Sequence, residues 1–260
     1  MLAPLSISDR IVTASPSITG AERVLQVLAA LASHGDAMTA KDLLAVTGLA
    51  QSTLYRQIAL LKRWGFVSEN AGFYAPGPVS LQLALGFDVN SLLVEASREE
   101  MAQLARASHE SIGLVVAVND QLICLDMVDS DYSLRCSFEK GRAVPLSAGA
   151  SAKCLLAFMA DRPRTETLDR LFADDAVGRA RLEAQLDAIR KDGFAISESE
   201  VDPGVWGVSA PLFRRAGRAM LCCAAITLMA PSTRAIGRES AFTAQTLRSA
   251  RLITNRLHVE

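Results

Sequence analysis

The sequence predicts an α+β protein in two parts, a small helical head that ends in a short hairpin and a larger body that mixes strands with helices. Apolar residues recur at helical spacing up to about residue 64, strand-like runs joined by turn signals are frequent after residue 110, and no internal repeat is present. A length of 260 residues fits roughly two domains. The two halves therefore belong to different structural classes.

The composition is that of a folded protein, with 50% hydrophobic and 21% charged residues. Its longest apolar stretch, 220–231, is shorter than the roughly 20 residues that a membrane-spanning helix needs, and no signal-peptide pattern opens the chain. We therefore expect a cytoplasmic protein with no membrane partner. The five cysteines form no C-x-x-C pair, so free thiols are predicted and a zinc ribbon is not indicated. Neither G-x-G-x-x-G nor G-x-x-x-x-G-K-[ST] occurs in the sequence, and no metal or cofactor is expected.

The head begins with two capped helices. Residues 1–17 have no helical or strand periodicity and are expected to form a flexible tail. The pattern Thr19-x-x-Glu22 predicts the start of a first helix, which Gly35 ends. A second pattern of the same type, Thr39-x-x-Asp42, starts a shorter helix that ends at Gly48.

A third helix, 51–64, has two distinct faces. Leu54, Ile58 and Leu61 follow helical spacing and are expected to pack inward. The opposite face carries small, polar and basic residues, namely Ser52, Arg56, Ala59 and Arg63. This helix therefore presents a polar surface to its surroundings.

A hairpin and a connecting helix complete the head. The runs 66–69 and 73–74 flank the turn 70–72 and predict two short strands. Helix, helix, turn, helix and hairpin is the order of a winged helix–turn–helix, which we assign to residues 18–78. Residues 79–91 are predicted to form a linker helix.

The body, 92–260, is predicted to alternate between strands and helices, starting with an amphipathic helix at 91–108. Predicted strands cover 113–118, 122–128, 133–138, 194–199, 205–213 and 218–229, with a turn at 214–217. Predicted helices cover 151–159, 164–172, 179–191 and 239–257. This mixture is typical of an α+β domain.

The third helix is the candidate DNA-binding element, because a helix fits the major groove of DNA. Arg56 could pair with a guanine, and the other candidates for contacts with bases or phosphates are Gln51, Ser52, Thr53, Tyr55, Lys62 and Arg63. Residues 18–90 hold five basic and five acidic residues, so a solvated face of a helical bundle is the alternative. In the hairpin, Phe73 is expected to pack against the helices, whereas Tyr74 could pack or contact the DNA backbone.

Four blocks of the sequence resemble the IclR family of bacterial transcription regulators. They are AERVLQVLAALA at 21–32, GLAQSTLYRQIALLKRWGFV at 48–67, GRAVPLSAGASAKCLLAF at 141–158 and KDGFAISESEVDPGVWGVSAPLF at 191–213. The resemblance extends over about 18–258 and keeps the order of the blocks. It implies a head that binds double-stranded operator DNA, a linker helix, and a C-terminal GAF-like effector domain whose antiparallel sheet curves around a small metabolite. It also implies a homodimer or homotetramer.

The same resemblance assigns the effector-binding residues, which are Cys136, Val144, Ala150, Ser151, Ser197, Val205, Gly207, Thr227 and Met229. Ser151 is chemically suitable because N–H groups at the start of a helix attract an anionic or carbonyl oxygen. The expected effector is an organic acid, a lactone or another carbonyl compound. Ser147, Ala152 and Met229 depart from the family pattern and make the pocket less polar. Core packing is the alternative role, above all for the apolar members of the set.

These observations predict a ligand-responsive regulator in which two heads of a dimer read two half-sites and a metabolite changes their spacing. We expect the protein to repress transcription, although activators occur among relatives. A sensing or interaction module without specific DNA binding is one alternative, and a hydrolase-like enzyme is another. No enzymatic activity is expected, because Gly149–Lys153 lacks the last glycine of G-x-S-x-G and the three histidines are far apart. Cys136 and Cys154 are the remaining candidate nucleophiles.

Overall fold

A computed structural model of the chain describes residues 19–136, 138, 140–141 and 143–258, without the side chains of 88–90. The predicted tail at 1–17 lies outside the described residues. The chain divides into two compact units, and the boundary between Leu83 and Ala84 falls inside the predicted linker helix. The predicted domain bounds at 78/79 and 91/92 stay predictions.

The first unit contains three helices, a small sheet and the beginning of a fourth helix. Its elements are α1 (Gly20–His34), β1 (Met38–Thr39), α2 (Ala40–Thr47), α3 (Gln51–Arg63), β2 (Val67–Asn70), β3 (Phe73–Pro76) and α4 (Pro78–Asn90). The antiparallel sheet has the order β1-β3-β2, so the predicted hairpin gains a third, unpredicted strand of two residues. The predicted helix–turn–helix with a wing is confirmed.

Local sequence signals fix the ends of the helices in this unit. Both predicted capping boxes are present, with the Thr19 and Thr39 side chains each accepting from the backbone N–H three residues later. Gly48 ends α2 in the left-handed conformation, with φ of 64°, which glycine adopts without steric cost. The apolar faces of α1, α2 and α3 then form one core that includes Leu31 and Leu54.

The second unit contains the remaining helices and a larger sheet. Its elements are α5 (Leu92–Ser108), β4 (Ser111–Val118), β5 (Gln121–Val128), β6 (Ala143–Pro145), α6 (Gly149–Phe158), α7 (Asp161–Leu171), α8 (Ala176–Asp192), β7 (Ala195–Glu198), β8 (Val205–Ala216), β9 (Ala219–Pro231), α9 (Ser232–Ala235) and α10 (Glu239–Arg256). The six-stranded antiparallel sheet has the order β6-β5-β4-β9-β8-β7. The predicted α+β class is confirmed.

Helices cover both faces of this sheet. One hydrophobic cluster joins α5 and α10 to β4, β8 and β9, with Phe242 and Leu228 fully buried. A second cluster joins α6, α7 and α8 to the other face. The alternation of strand side chains produces this division, because successive residues point to opposite faces. The sheet thereby separates two cores, and α6 lies on the second one.

The strand predicted at 133–138 is wrong. Residues 133–136 form bends and coil, and 137 lies outside the described residues. The backbone here is held by side chains, because Arg234 donates to the Leu134 carbonyl at 2.9 Å and Ser111 Oγ accepts from Ser130 N–H at 3.0 Å. The unpredicted strand β6 pairs with β5 instead.

The turn predicted at 214–217 is shifted by two residues. Strands β8 and β9 remain paired up to Ala216 and Ala219, which leaves Gly217 and Arg218 as the connection. Gly217 has φ of 62°, as tight hairpin turns require.

No single helix among the described residues is long and apolar enough to cross a membrane. One bent pair of helical segments, Pro78–Phe87 and Leu92–Ser108, reaches the necessary length and hydropathy only when the two segments are counted together.

Candidate nucleic-acid interface and ligand cavity

Helix α3 divides its residues between core and surface as predicted. Leu54, Ile58 and Leu61 are buried, and Gln57 is buried beside them. The DNA-binding candidates lie toward the surface: Gln51, Ser52, Tyr55, Arg56, Lys62 and Arg63 are exposed, and Thr53 is half-buried. Six of the seven candidates are therefore accessible on the surface of α3.

The basic residues of this surface differ in their partners. The Lys62 ammonium pairs with the Glu69 carboxylate on β2, and this hydrogen bond raises the pKa of Lys62. Within the described part of the chain, Arg56 and Arg63 are in no salt bridge. Their guanidinium groups are thus available for a phosphate or a base edge, which guanidinium recognises through paired N–H donors.

The two aromatic residues of the wing differ in burial, and the prediction for Phe73 does not hold. Tyr74 is 6% exposed and packs in the head core, whereas Phe73 is 48% exposed. Neighbouring residues of a strand point to opposite faces, so only one of the two can pack inward. The register selects Tyr74, which lies opposite the buried Met38 of β1. The predicted packing of Phe73 is wrong.

A cavity of about 470 Å³ lies in the second unit. It is lined by the start of α6, by residues of β5 to β9 and by the loop before β8. All of the predicted effector residues line it: Cys136, Val144, Ala150, Ser151, Ser197, Val205, Gly207, Thr227 and Met229. Residues that are far apart in sequence are therefore brought to one internal surface.

Three hydroxyl groups form a buried cluster beside this cavity. Ser151 Oγ lies 2.9 Å from Thr227 Oγ1, which lies 2.7 Å from Ser209 Oγ, and Ser209 donates to Ser151 across 3.3 Å. Ser209 and Thr227 are direct partners in the β8–β9 ladder. Hydroxyl groups can donate and accept, so this cluster can exchange an internal hydrogen bond for one to a ligand oxygen.

The start of α6 is built around a glycine. Gly149 has φ of +89°, and a Cβ atom placed there would lie 2.9 Å from Val201 Cγ2. The cap residue Ala148 offers no side-chain hydrogen bond to the helix. Glu200 supplies one instead, because its Oε2 atom accepts from the Gly149 N–H at 3.1 Å while Oε1 lies 2.5 Å from Lys153 Nζ.

Sequence reasoning missed several residues of this region. Strand alternation could have identified Ser209, because it lies on the same face of β8 as Val205 and Gly207. The four-residue spacing on α6 could have placed Lys153 beside Gly149. No local signal could have identified Glu200, which reaches α6 from a loop about fifty residues later. Other unpredicted lining residues include Leu122, Leu134, Arg135, Phe138 and Asp202.

The thiols are poorly suited to nucleophilic chemistry. Burial raises the pKa of Cys124 to about 11 and that of Cys222 to about 12. Burial also raises the pKa of Cys136, and that of Cys154 lies well above its ordinary value for the same reason. Because the thiolate is the reactive form, these side chains are weak nucleophiles near neutral pH. Among the described residues, no group of three or more His, Cys, Asp or Glu could hold a metal ion.

Comparison with known proteins gives consistent matches for both units. Residues 20–71 match the IclR helix-turn-helix domain, and residues 89–255 match the family described as bacterial transcriptional regulator IclR C-terminal. Among curated proteins, the regulator KipR of Bacillus subtilis is 25% identical over 69% of this chain and 74% of its own length. TtgV of Pseudomonas putida is 28% identical over 77% of this chain and 78% of its own length.

Solved structures share the fold. An IclR family regulator from Brucella abortus has a TM-score of 0.78 at 19% identity and covers 92% of each chain. An IclR homologue from Microbacterium hydrocarbonoxydans, solved in complex with 4-hydroxybenzoate, has a TM-score of 0.68 at 18% identity and covers 93% of this chain and 100% of its own. Because the C-terminal family match alone extends over more than half of the sequence, the chain belongs to the IclR family of bacterial transcriptional regulators and is a DNA-binding regulator rather than an enzyme.

Proposed function

We propose that this protein is a ligand-responsive repressor that binds operator DNA through helix α3 and a small metabolite in the cavity of the second unit. One observation carries the proposal: all of the predicted effector residues line a single cavity of about 470 Å³. Ligand cavities typically measure roughly 300–1,000 Å³ and combine apolar walls with a few polar groups. A regulator with such a cavity has the means to respond to a small molecule. Since its target is genomic DNA, we propose that it acts in the cytoplasm.

The accessible side of α3 supports the DNA-binding part. Arg56 is our candidate for a base contact, because a guanidinium can pair with guanine O6 and N7. Gln51, Ser52, Thr53 and Tyr55 occupy the first turns of the helix, and helix N-terminal residues commonly contact base edges and phosphates. Lys62 and Arg63, in the last turn, are assigned to phosphate contacts. Arg56 and Arg63 are exposed cations. They belong to a region, 18–90, that is neutral overall, with five basic and five acidic residues.

The cavity supports a small effector with an oxygen function and an apolar body. Ser151, Ser197 and Thr227 supply hydroxyl groups, while Val144, Val205 and Met229 supply apolar surface. This chemistry suits an organic acid, a lactone or another carbonyl compound, and the IclR homologue from Microbacterium hydrocarbonoxydans binds 4-hydroxybenzoate. Effector binding would act by changing the relative stability of two arrangements of the dimer.

Helix α4 supports assembly into a homodimer or homotetramer. Its apolar side chains point in all directions, and Leu81, Leu83, Leu85 and Phe87 are each at least 49% exposed. A helix that is apolar all round is normally buried against other protein surface. A dimer through such helices would provide two heads for two half-sites of an operator.

The experiment is a fluorescence anisotropy titration of the full-length protein against the DNA upstream of its own gene and against random DNA. We expect tighter binding to the upstream DNA and release by at least one compound from a panel of acids, lactones and neutral carbonyl compounds. Equal affinity for both DNAs would favour a sensing module without operator specificity. Specific binding that no compound changes would remove the effector part of the proposal.

A further inference from the structure

The sheet of the second unit has a recess at Gly113, on the face that borders the cavity. Gly113 of β4 pairs directly with Thr227 of β9 and with Met127 of β5. Direct partners in a ladder project to the same face of a sheet, and Thr227 lines the cavity. The missing side chain of Gly113 therefore leaves space beside the Thr227 hydroxyl. The φ angle of Gly113 is not positive, so the backbone itself does not require glycine here.

The ring of Phe138 fills this recess. A Cβ atom placed on Gly113 would lie 3.2 Å from Phe138 Cδ2, 3.5 Å from Met127 Sδ and 3.7 Å from Met229 Cε. The first distance is shorter than the optimal contact between carbon atoms, so a side chain at this position would displace the ring. Phe138 also lines the cavity. The ring thus rests against the sheet at Gly113 and forms part of the cavity wall.

The hydroxyl groups and the aromatic wall lie on neighbouring strands. Ser151 Oγ and Thr227 Oγ1 are 2.9 Å apart, and neighbouring strands are separated by about 4.8 Å. An effector oxygen at these hydroxyl groups would place the next part of the same molecule beside Phe138. A six-membered ring attached directly to the oxygen-bearing carbon has this reach, whereas a two-carbon acid does not. Leu122 and Val144, direct partners on β5 and β6, extend the apolar lining.

We propose that Phe138 determines which effectors the cavity accepts, by selecting compounds that carry an oxygen function directly on a planar aromatic ring. This inference rests on the proposed effector function of the cavity. Aromatic rings gain from offset or edge contacts with one another beyond the burial of their area, and a saturated ring of the same size lacks this gain. Gly113 is a positioning residue, because it leaves the space in which the Phe138 ring lies.

The test is isothermal titration calorimetry of the full-length protein with two matched pairs of ligands. Benzamide and cyclohexanecarboxamide form one pair, and benzoate and cyclohexanecarboxylate form the other, so the comparison within each pair does not depend on charge. We expect the wild-type protein to bind the aromatic member of the pair that it accepts roughly fivefold more tightly than the saturated member. Phe138→Leu keeps an apolar side chain but removes the ring, and should lower this preference to about one.

Phe158→Leu is the matched control. Phe158 packs, like Phe138, against the hydrophobic cluster beneath α6, and both are partly buried. Its ring contacts that of Phe213, with centroids 5.6 Å apart, and it is not among the described residues that line the cavity. This variant should keep the wild-type preference for the aromatic ligand. Circular dichroism and the thermal midpoint establish that each variant is folded.

A second variant tests the recess without removing the ring. In Gly113→Ala, the added methyl group should move Phe138 by a few tenths of an ångström into the cavity. Both ligands should bind more weakly, and the thicker saturated ring should lose more, so the aromatic preference should rise. In Gly113→Ala/Phe138→Leu, the preference should stay at about one. Such non-additivity is expected when one residue acts through the other.

The outcomes separate this inference from the proposed function. A wild-type protein without aromatic preference, an unchanged preference in folded Phe138→Leu, or an equal loss in Phe158→Leu would overturn the role of Phe138. If Phe138→Leu did not fold, an unchanged or lower preference in Gly113→Ala would overturn it instead. Wild-type protein that bound none of the four ligands would overturn the assignment to aromatic effectors. Release of operator DNA by any other small compound would leave the proposed function standing in each case.

Discussion

The two units of the molecule place their polar chemistry in opposite locations. In the head, Gln57 is the only buried polar side chain among the described residues, and the DNA-binding candidates lie on the surface. In the body, charged and hydroxyl side chains such as Glu110, Lys153, Ser209 and Thr227 are buried. On one helix of the head, the residues that stabilise the fold are therefore separate from the candidate DNA-binding residues. In the body, buried polar groups such as Thr227 both line the cavity and form hydrogen bonds within the fold.

The largest expected effect comes from breaking a buried ion pair of the body. Arg234 donates to both Glu110 oxygens at 2.7 and 2.6 Å, and Glu110 is fully buried. Arg234→Ala leaves that carboxylate buried without a partner, which should reduce the free energy of unfolding by about 3–5 kcal/mol. Urea unfolding followed by circular dichroism measures this loss.

Arg162→Ala is the control for that experiment, because Arg162 also pairs with a glutamate, Glu166, but is 90% exposed. Its unfolding midpoint should stay at the wild-type value, since exposed pairs contribute little. Arg234 also donates to the Leu134 carbonyl in the loop beside the cavity. Equal unfolding midpoints for the two variants would contradict the prediction that burial makes the Arg234–Glu110 pair more important for stability than the exposed pair.

In the head, a core substitution should be costly without touching the DNA-binding surface. Leu54 is fully buried in α3, so Leu54→Ala should destabilise the head by roughly 3 kcal/mol through lost contacts and a cavity. Hydrogen exchange of the backbone amides in the head measures this loss of stability separately from the stability of the body. The α10 amides in the body should keep their protection, and equal loss of protection there would contradict the independence of the two units.

The sequence predicted the head more completely than the body, for a physical reason. Thr19, Glu22 and Gly48 act within one turn of their own helices, so their roles follow from local spacing. The wing shows where local reasoning ends, since Tyr74 is buried and Phe73 exposed only because β1 sets the register. The family resemblance predicted that Ser151 and Thr227 line the cavity. Glu200 was not predicted, because it reaches the start of α6 only through the tertiary structure.

On the exposed side of α3, Arg56→Ala should leave stability unchanged but weaken DNA binding. If Arg56 reads a base, the loss should be about 1–3 kcal/mol on the operator and much smaller on random DNA. Arg63→Ala is the comparison, because a phosphate contact should weaken binding to both DNAs to the same degree. Anisotropy titrations at one fixed salt concentration give both values. Equal losses on the two DNAs for Arg56→Ala would reassign Arg56 to phosphate contact.

The smallest expected effect concerns the pair between Lys62 and Glu69 at the edge of the head. Both side chains are partly exposed, at 42% and 33%, so Glu69→Gln should leave the unfolding midpoint of the head nearly unchanged. Release of the Lys62 ammonium should increase affinity several-fold for operator and random DNA alike, and steepen the logarithmic salt dependence by up to about 0.9 if one phosphate contact is gained. Asp36→Asn makes the same change in charge elsewhere on the exposed surface of the head and is the control. An equal gain in Asp36→Asn would show that net charge, and not the freed lysine, determines the affinity.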